Sequence, residues 1–197
     1  MKRLLLLGLL AACLSVATFA HSAAALPVAS QPLPQAQPQK ASTVASVADM
    51  EISIVEQEFV SAAEAMPEDK YAFAPANGNF KGVRTFAEEV KHAAAANYRI
   101  WSAALQEKPS IDLSASNGPA SIRTKAQIVE FLKNSFALGH RAAKSLTTAN
   151  MLDQLPFGGG KAARLFLVTY PVGHAFDHYG QMVEYLRMNG IVPPASR

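Results

Sequence analysis

Beyond residue 46 the apolar positions fall into four stretches with helical period. Ile52, Val55, Phe59, Ala62 and Met66 recur three or four residues apart, so they line one side of a helix that Pro67 ends. Thr85-Phe86-Ala87-Glu88 has the form of a capping box, in which the hydroxyl and the carboxylate satisfy free amides at a helix start. It opens a helix carrying Phe86, Val90, Ala93, Asn97, Ile100, Trp101 and Ala104 along one side and stopping before Pro109. Thr124-Lys125-Ala126-Gln127 repeats that signal ahead of Ile128, Phe131, Leu132, Ser135, Leu138, Ala142 and Leu146. The last stretch holds Leu165, Val168, Val172, Phe176, Tyr179, Val183 and Leu186, with Gly190 as its cap and Pro193-Pro194 blocking resumption. Phe176, Tyr179 and Val183 are expected to be buried, so Phe176→Ala would cost about 3 kcal/mol by opening a cavity. No stretch alternates as a strand would, and the pattern predicts an all-α four-helix bundle. The connections over 67–84 and 109–123 are long enough to cross an end of it. Gly158-Gly159-Gly160 follows no predicted strand and precedes no Lys-Ser or Lys-Thr pair, so it reads as a flexible connection rather than a phosphate loop.

The N-terminal 46 residues follow a different pattern. Met1-Lys2-Arg3 is a basic start, residues 4–20 are nearly continuous Leu, Ala, Val and Phe, and Ala23-Ala24-Ala25 follows. That order is the signature of a secretory signal peptide over residues 1–25, and it predicts export to the periplasm or beyond. A membrane anchor fits less well, because the apolar run is short and no charged stop follows it. Leu10-Ala11-Ala12-Cys13 also has the form of a lipobox, and lipidation of Cys13 would put the chain on a membrane surface. The residues after Cys13 stay apolar through Ala20, which favours ordinary cleavage. Residues 26–46 contain four Pro and four Gln and almost no large apolar group, so they read as a flexible spacer ahead of a domain spanning 47–197.

Composition narrows the function classes. The chain has 197 residues, 17% of them charged, with a net charge of +3 and one Cys. Losing Lys2 and Arg3 with the signal peptide leaves 16 basic and 15 acidic residues, a net of +1. No basic cluster marks a nucleic-acid binder. One Cys rules out a disulfide framework and a Cys-based zinc ribbon.

The candidate chemistry lies in histidines that interrupt the helical faces. His174 and His178 are four apart, which puts both imidazoles on one side of the last helix, one turn apart, at the margin of its apolar face. Such a pair is not a metal site by itself, and no Glu follows His174 to complete a zinc-protease motif. A catalytic metal wants a third protein ligand. His92, two turns into the second helix, is the obvious choice. His140 is the spare, although Gly139, Arg141 and Lys144 around it suggest a solvated face. His21 falls within the leader.

The stretches GHAFDHYGQMVEYLRMNGIVPPAS (173–196) and TFAEEVKHAAAANYRIW (85–101) resemble the DinB-like, or damage-inducible protein B, superfamily of metal-dependent four-helix-bundle proteins. The resemblance covers 52–196 and is most specific at the His-x-x-x-His-Tyr-Gly helix. It implies a metal triad of one histidine from the second helix and two from the last, which fall on His92, His174 and His178. Three neutral imidazoles would leave a divalent cation its full charge and room for water or substrate, lowering the pKa of a bound water or activating a thiol. Zinc or nickel is the expected ion, because nitrogen-only sites favour late first-row metals and exclude calcium and magnesium. Relatives include thiol-dependent transferases and a mycothiol-dependent isomerase, which use cytoplasmic thiols; an exported member departs from that setting.

Several neighbours are weaker candidates. Asp177 either supports a ligand or faces solvent. Glu88 lies one turn before His92 and could orient it, though its capping role already explains it. Pro171 removes one helix hydrogen bond just before the histidine pair. Asn97, Tyr98 and Trp101 match the family pattern, and core packing accounts for the rings. The expectation is therefore an exported metal-dependent hydrolase or thiol or group transferase acting on an unidentified small molecule. The alternative is a non-catalytic, stress-associated metal-binding homodimer.

Overall fold

The computed structural model describes residues 41–197. The expected signal peptide, the lipobox Cys13 and the expected spacer up to residue 40 lie outside the described residues. Four helices form the domain: α1 (Val44–Ala65), α2 (Phe86–Leu105), α3 (Lys125–Lys144) and α4 (Arg164–Met188). Around the bundle the order is α1-α3-α2-α4, so α2 and α4 pack side by side while α1 faces α2 across the core. That order explains the long connections, since α1 to α2 and α3 to α4 each run between opposite corners. Among the described residues no helix is long and apolar enough to cross a membrane.

The predicted stripes of the first three helices are the buried ones. Ile52, Val55, Phe59, Ala62 and Met66 are fully buried, as are Phe86, Val90, Trp101 and Ala104 on α2 and Leu132 and Ala142 on α3. Both predicted capping boxes form, Thr85 with Glu88 and Thr124 with Gln127. A third, Thr43 with Ser46, starts α1 inside the segment read as spacer, because Ser rather than Glu or Gln closes it. At the other end of α4, Gly190 with φ 73° lets Ile191 N–H reach the Leu186 carbonyl and ends the helix.

Two expectations are corrected. Phe176 is 39% exposed, and Tyr179 and Val183 are only half-buried. The face that α4 buries instead comprises Leu167, Val168, Pro171, Val172, Ala175, His178, Met182, Tyr185 and Leu186. Reading the aromatics as core rotated the helix, because two polar-tipped residues, His178 and Tyr185, belong to the inner face. A Phe176→Ala truncation therefore has no closed cavity to open. The helix runs unbroken through Pro171.

The second correction is a hairpin of β1 (Gln154–Phe157) and β2 (Gly160–Ala163), where only helices and a flexible connection were expected. Gly158 and Gly159 both have positive φ, 59° and 82°, the backbone that a two-residue turn of this kind demands. The strands lack alternation, and Pro156 cannot donate to a ladder, so the usual strand signal is absent.

Gly139 on α3 carries a further consequence. A Cβ there would lie 2.7 Å from the Trp101 ring, so the missing side chain is what lets Trp101 seat against α3. Trp101 completes the contact by donating from Nε1 to the Val168 carbonyl of α4 at 3.0 Å. Gly139 is buried, whereas Arg141 and Lys144 are exposed as expected and His140 is half-buried.

Candidate metal centre

Adjacency of α2 and α4 brings together the three histidines predicted from sequence. One ring nitrogen from each of His92, His174 and His178 lies within 4.8 Å of the others, although 82 positions separate His92 from His174. The ring centroids are 4.5–5.3 Å apart. His178 is buried, and the other two are half-buried.

Two of the rings are oriented from behind. His178 Nδ1 donates to Glu89 Oε2 at 2.5 Å, and Glu89 is only 1% exposed. His92 Nδ1 donates to the Ser116 carbonyl at 2.9 Å. With the proton fixed on Nδ1 in each ring, the Nε2 lone pair is left to face the cluster, as in the carboxylate–histidine arrangements that back metal ligands. His178 Nε2 and His174 Nε2 are 3.2 Å apart. Two facing lone pairs at that separation require a proton or a cation between them. Nitrogens bound to one ion at about 2.1 Å in tetrahedral geometry lie roughly 3.4 Å apart, so the pair fits a shared ion. The residues present thus suit a divalent late transition metal.

Burial shapes the electrostatics in the same direction. It pushes the His174 pKa down to about 4, helped by the neighbouring His178 and His92. It also holds His92 below the usual histidine value, against the opposing hydrogen bond to Ser116. Both rings stay neutral at pH 7, which is the ligating form.

The support comes from places the sequence reading passed over. Glu89, not Glu88, backs the cluster. Glu88 accepts from Thr85 N–H at 2.9 Å and from Asn117 Nδ2 at 3.3 Å, and those bonds hold its carboxyl below the usual range, the Thr85 backbone amide most of all. Glu89 follows Phe86 by three, so it falls on the buried stripe; a carboxylate there was the available signal. Ser116 belongs to the 106–124 connection, which α2 ties down: Lys91 Nζ donates to the carbonyls of Pro119 and Ile122, both at 2.9 Å. Within it Gly118 has φ 70°, a backbone that favours glycine, and a Cβ there would come within 3.1 Å of the Phe131 ring.

The remaining candidates lie apart from the cluster. Asp177 is exposed and accepts a 3.4 Å hydrogen bond from Gln181 Nε2. Asn97 Nδ2 donates to Ser135 Oγ inside the core, Tyr98 stacks on Phe131, and Trp101 packs. His140 ties α3 to α1 through Asp49 and Glu56. A polar cleft of about 500 Å³, lined by Arg84, Glu88, Glu89, Ser116, Asn117 and Gln181, reaches the two groups that hold His178 and His92 from behind. A cleft of similar size near Gln106 and Phe157 holds none of this chemistry.

Fold and site together define a four-helix-bundle protein with a three-histidine cluster able to hold a metal. The model of the DinB superfamily matches residues 51–182, and the chain belongs to that superfamily. Among solved structures it is similar to a conserved protein of Enterococcus faecalis, at 16% identity and TM-score 0.59, covering 75% of this chain and 97% of that one. It is likewise similar to a DinB-like protein from Bacillus cereus ATCC 10987, at 14% identity and TM-score 0.59, covering 74% and 92%. At those identities the likeness shows the fold alone. No curated protein matches the chain.

Proposed function

We propose that the protein is an exported metal-dependent enzyme, a hydrolase or a thiol or group transferase, with His92, His174 and His178 as ligands to zinc or nickel. The observation that carries this reading is that Glu89 and Ser116 hold two rings by Nδ1 within a cluster in which one nitrogen of each of the three histidines lies within 4.8 Å of the others. A divalent ion there supplies Lewis acidity and lowers the pKa of a water or thiol bound to it. The chain's own part is to keep His92 and His174 neutral and to hold the Nδ1 protons of His178 and His92 in hydrogen bonds to Glu89 and Ser116, so that Nε2 stays free to ligate. The test compares metal-loaded, chelator-treated and His178→Ala protein across esterase, amidase and thiol-transfer substrates. Turnover confined to the loaded wild type is expected. Tight metal binding without turnover on any substrate class would instead favour the non-catalytic, homodimeric metal-binding protein.

Export rests on residues 1–25. Mass spectrometry of protein recovered from its native host should find an N-terminus between His21 and Ala29 without lipid. A diacylated Cys13 would place the protein on a membrane surface, and an intact Met1 would remove the periplasmic assignment.

A further inference from the structure

We propose that Arg84 is the recognition residue of the cleft beside the three histidines, and that the molecule bound there is a small organic oxyanion. This rests on the metal-centre reading above.

Arg84 is held from two sides. Its carbonyl accepts from Tyr185 Oη of α4 at 3.1 Å, and its Nε donates to Asn117 Oδ1 at 3.0 Å. Asn117 is fixed in turn by donating to Glu88. These bonds use the backbone and one guanidinium nitrogen. Among the described residues, neither terminal amino group of Arg84 has a hydrogen-bond or ion-pair partner, although the side chain is half-buried and lines the cleft. A fork with one edge anchored and the other free suits bidentate binding of a planar or tetrahedral oxyanion. The cleft's size, about 500 Å³, suits a small molecule.

The acidic neighbours do not compete for those donors. Glu89 is committed to His178, and Glu88 to Thr85 and Asn117. Their charges do count: Arg84, Glu88 and Glu89 give the cleft a formal charge of −1, which becomes +1 with a divalent cation on the histidines. Oxyanion binding is therefore conditional on the metal. Glu89 and Ser116, which hold the Nδ1 side of two ligand rings, both line the cleft, so a molecule anchored at Arg84 lies next to the groups that position His178 and His92.

The experiment uses the cobalt(II)-loaded chain and follows its visible absorption during titration with succinate, inorganic phosphate and the neutral succinamide. Succinate or phosphate should perturb the spectrum saturably, and succinamide should not. Whichever saturates identifies a carboxylate or a phosphate as the preferred group. Arg84→Ala should weaken that binding by 10- to 100-fold while cobalt affinity and thermal midpoint stay near wild type. Arg84→Gln, which keeps a donor for Asn117, should show the same loss with the fold preserved. Equal anion affinity in wild type and either variant, or succinamide binding as well as succinate, would overturn the proposal. Failure of wild type to bind cobalt, or cobalt retained at full affinity in His178→Ala, would instead strike the metal-centre reading and this proposal with it.

Discussion

His178 and His140 are both held by carboxylates from a neighbouring helix, yet their surroundings prepare them for opposite chemistry. His178 gives one nitrogen to Glu89 and keeps the other for the cluster. His140 gives both: Nδ1 lies 2.7 Å from Asp49 Oδ1 and Nε2 lies 2.9 Å from Glu56 Oε2, with both acids on α1. Burial works against a charge on His140, but the two carboxylates outweigh it and hold the pKa above the ordinary value. A ring protonated on both nitrogens has no lone pair for a metal and serves as a clasp between α1 and α3. At His174 burial and neighbouring imidazoles drive the pKa the other way. What separates ligand from clasp is the partner of the second nitrogen, which a count of histidines in the sequence does not disclose.

The largest expected contrast is in metal binding. Changing His92, His174 or His178 to Ala should abolish tight zinc binding by titration calorimetry, and His140→Ala should leave it intact. Next, Glu89→Gln should lower zinc affinity about 10- to 100-fold while the helical circular-dichroism spectrum persists, because it disturbs the ring rather than the ligand atom. Glu56→Gln, the matching change at the clasp, should not alter affinity. On α3, Gly139→Ala should cost about 1–3 kcal/mol in denaturant unfolding by displacing Trp101, without touching the neighbouring clasp's charges.

The two sites should also mark opposite limbs of the pH–stability curve of the metal-free protein. His174 has a depressed pKa, so its contribution is complete above about 6.5 and is lost as pH falls toward about 4. His140 has a raised one, so the clasp contributes fully below about 6.5 and fades as pH rises through its folded value. Urea unfolding of His174→Ala should flatten the acid limb, and that of His140→Ala the limb above 6.5. The smallest effect is Asp49→Asn, about 1 kcal/mol or less at pH 6 and vanishing at high pH, since the clasp is partly solvated. In zinc titrations, proton competition at His174 should set in toward pH 4 rather than near 6.5.

Much of this was legible in the sequence because helical period and capping are local. Ile52 to Met66, the Thr85–Glu88 box and the Thr124–Gln127 box needed no tertiary information. The triad was legible because His174 and His178 share a helix face. His92, two turns into a helix that can neighbour theirs, was the obvious third ligand, which the family resemblance then reinforced. What failed depended on neighbours. The rotation of α4 was misread because Phe176 outweighs His178 on any hydropathy scale, and the inward histidine is stable only beside Glu89 of α2. Ser116 contributes a backbone carbonyl, which no side-chain pattern reveals. The clasp at His140 needs Asp49 and Glu56 from a helix more than 80 residues away. The hairpin rests on two glycines in a turn rather than on strand-like residues.

The most direct test of the central claim is elemental analysis of the untagged protein after loading and extensive dialysis, run beside His178→Ala and His140→Ala. The account predicts about one zinc or nickel ion per chain in wild type and in His140→Ala, and none in His178→Ala. Metal-free wild type, or a full complement of metal in His178→Ala, would contradict it.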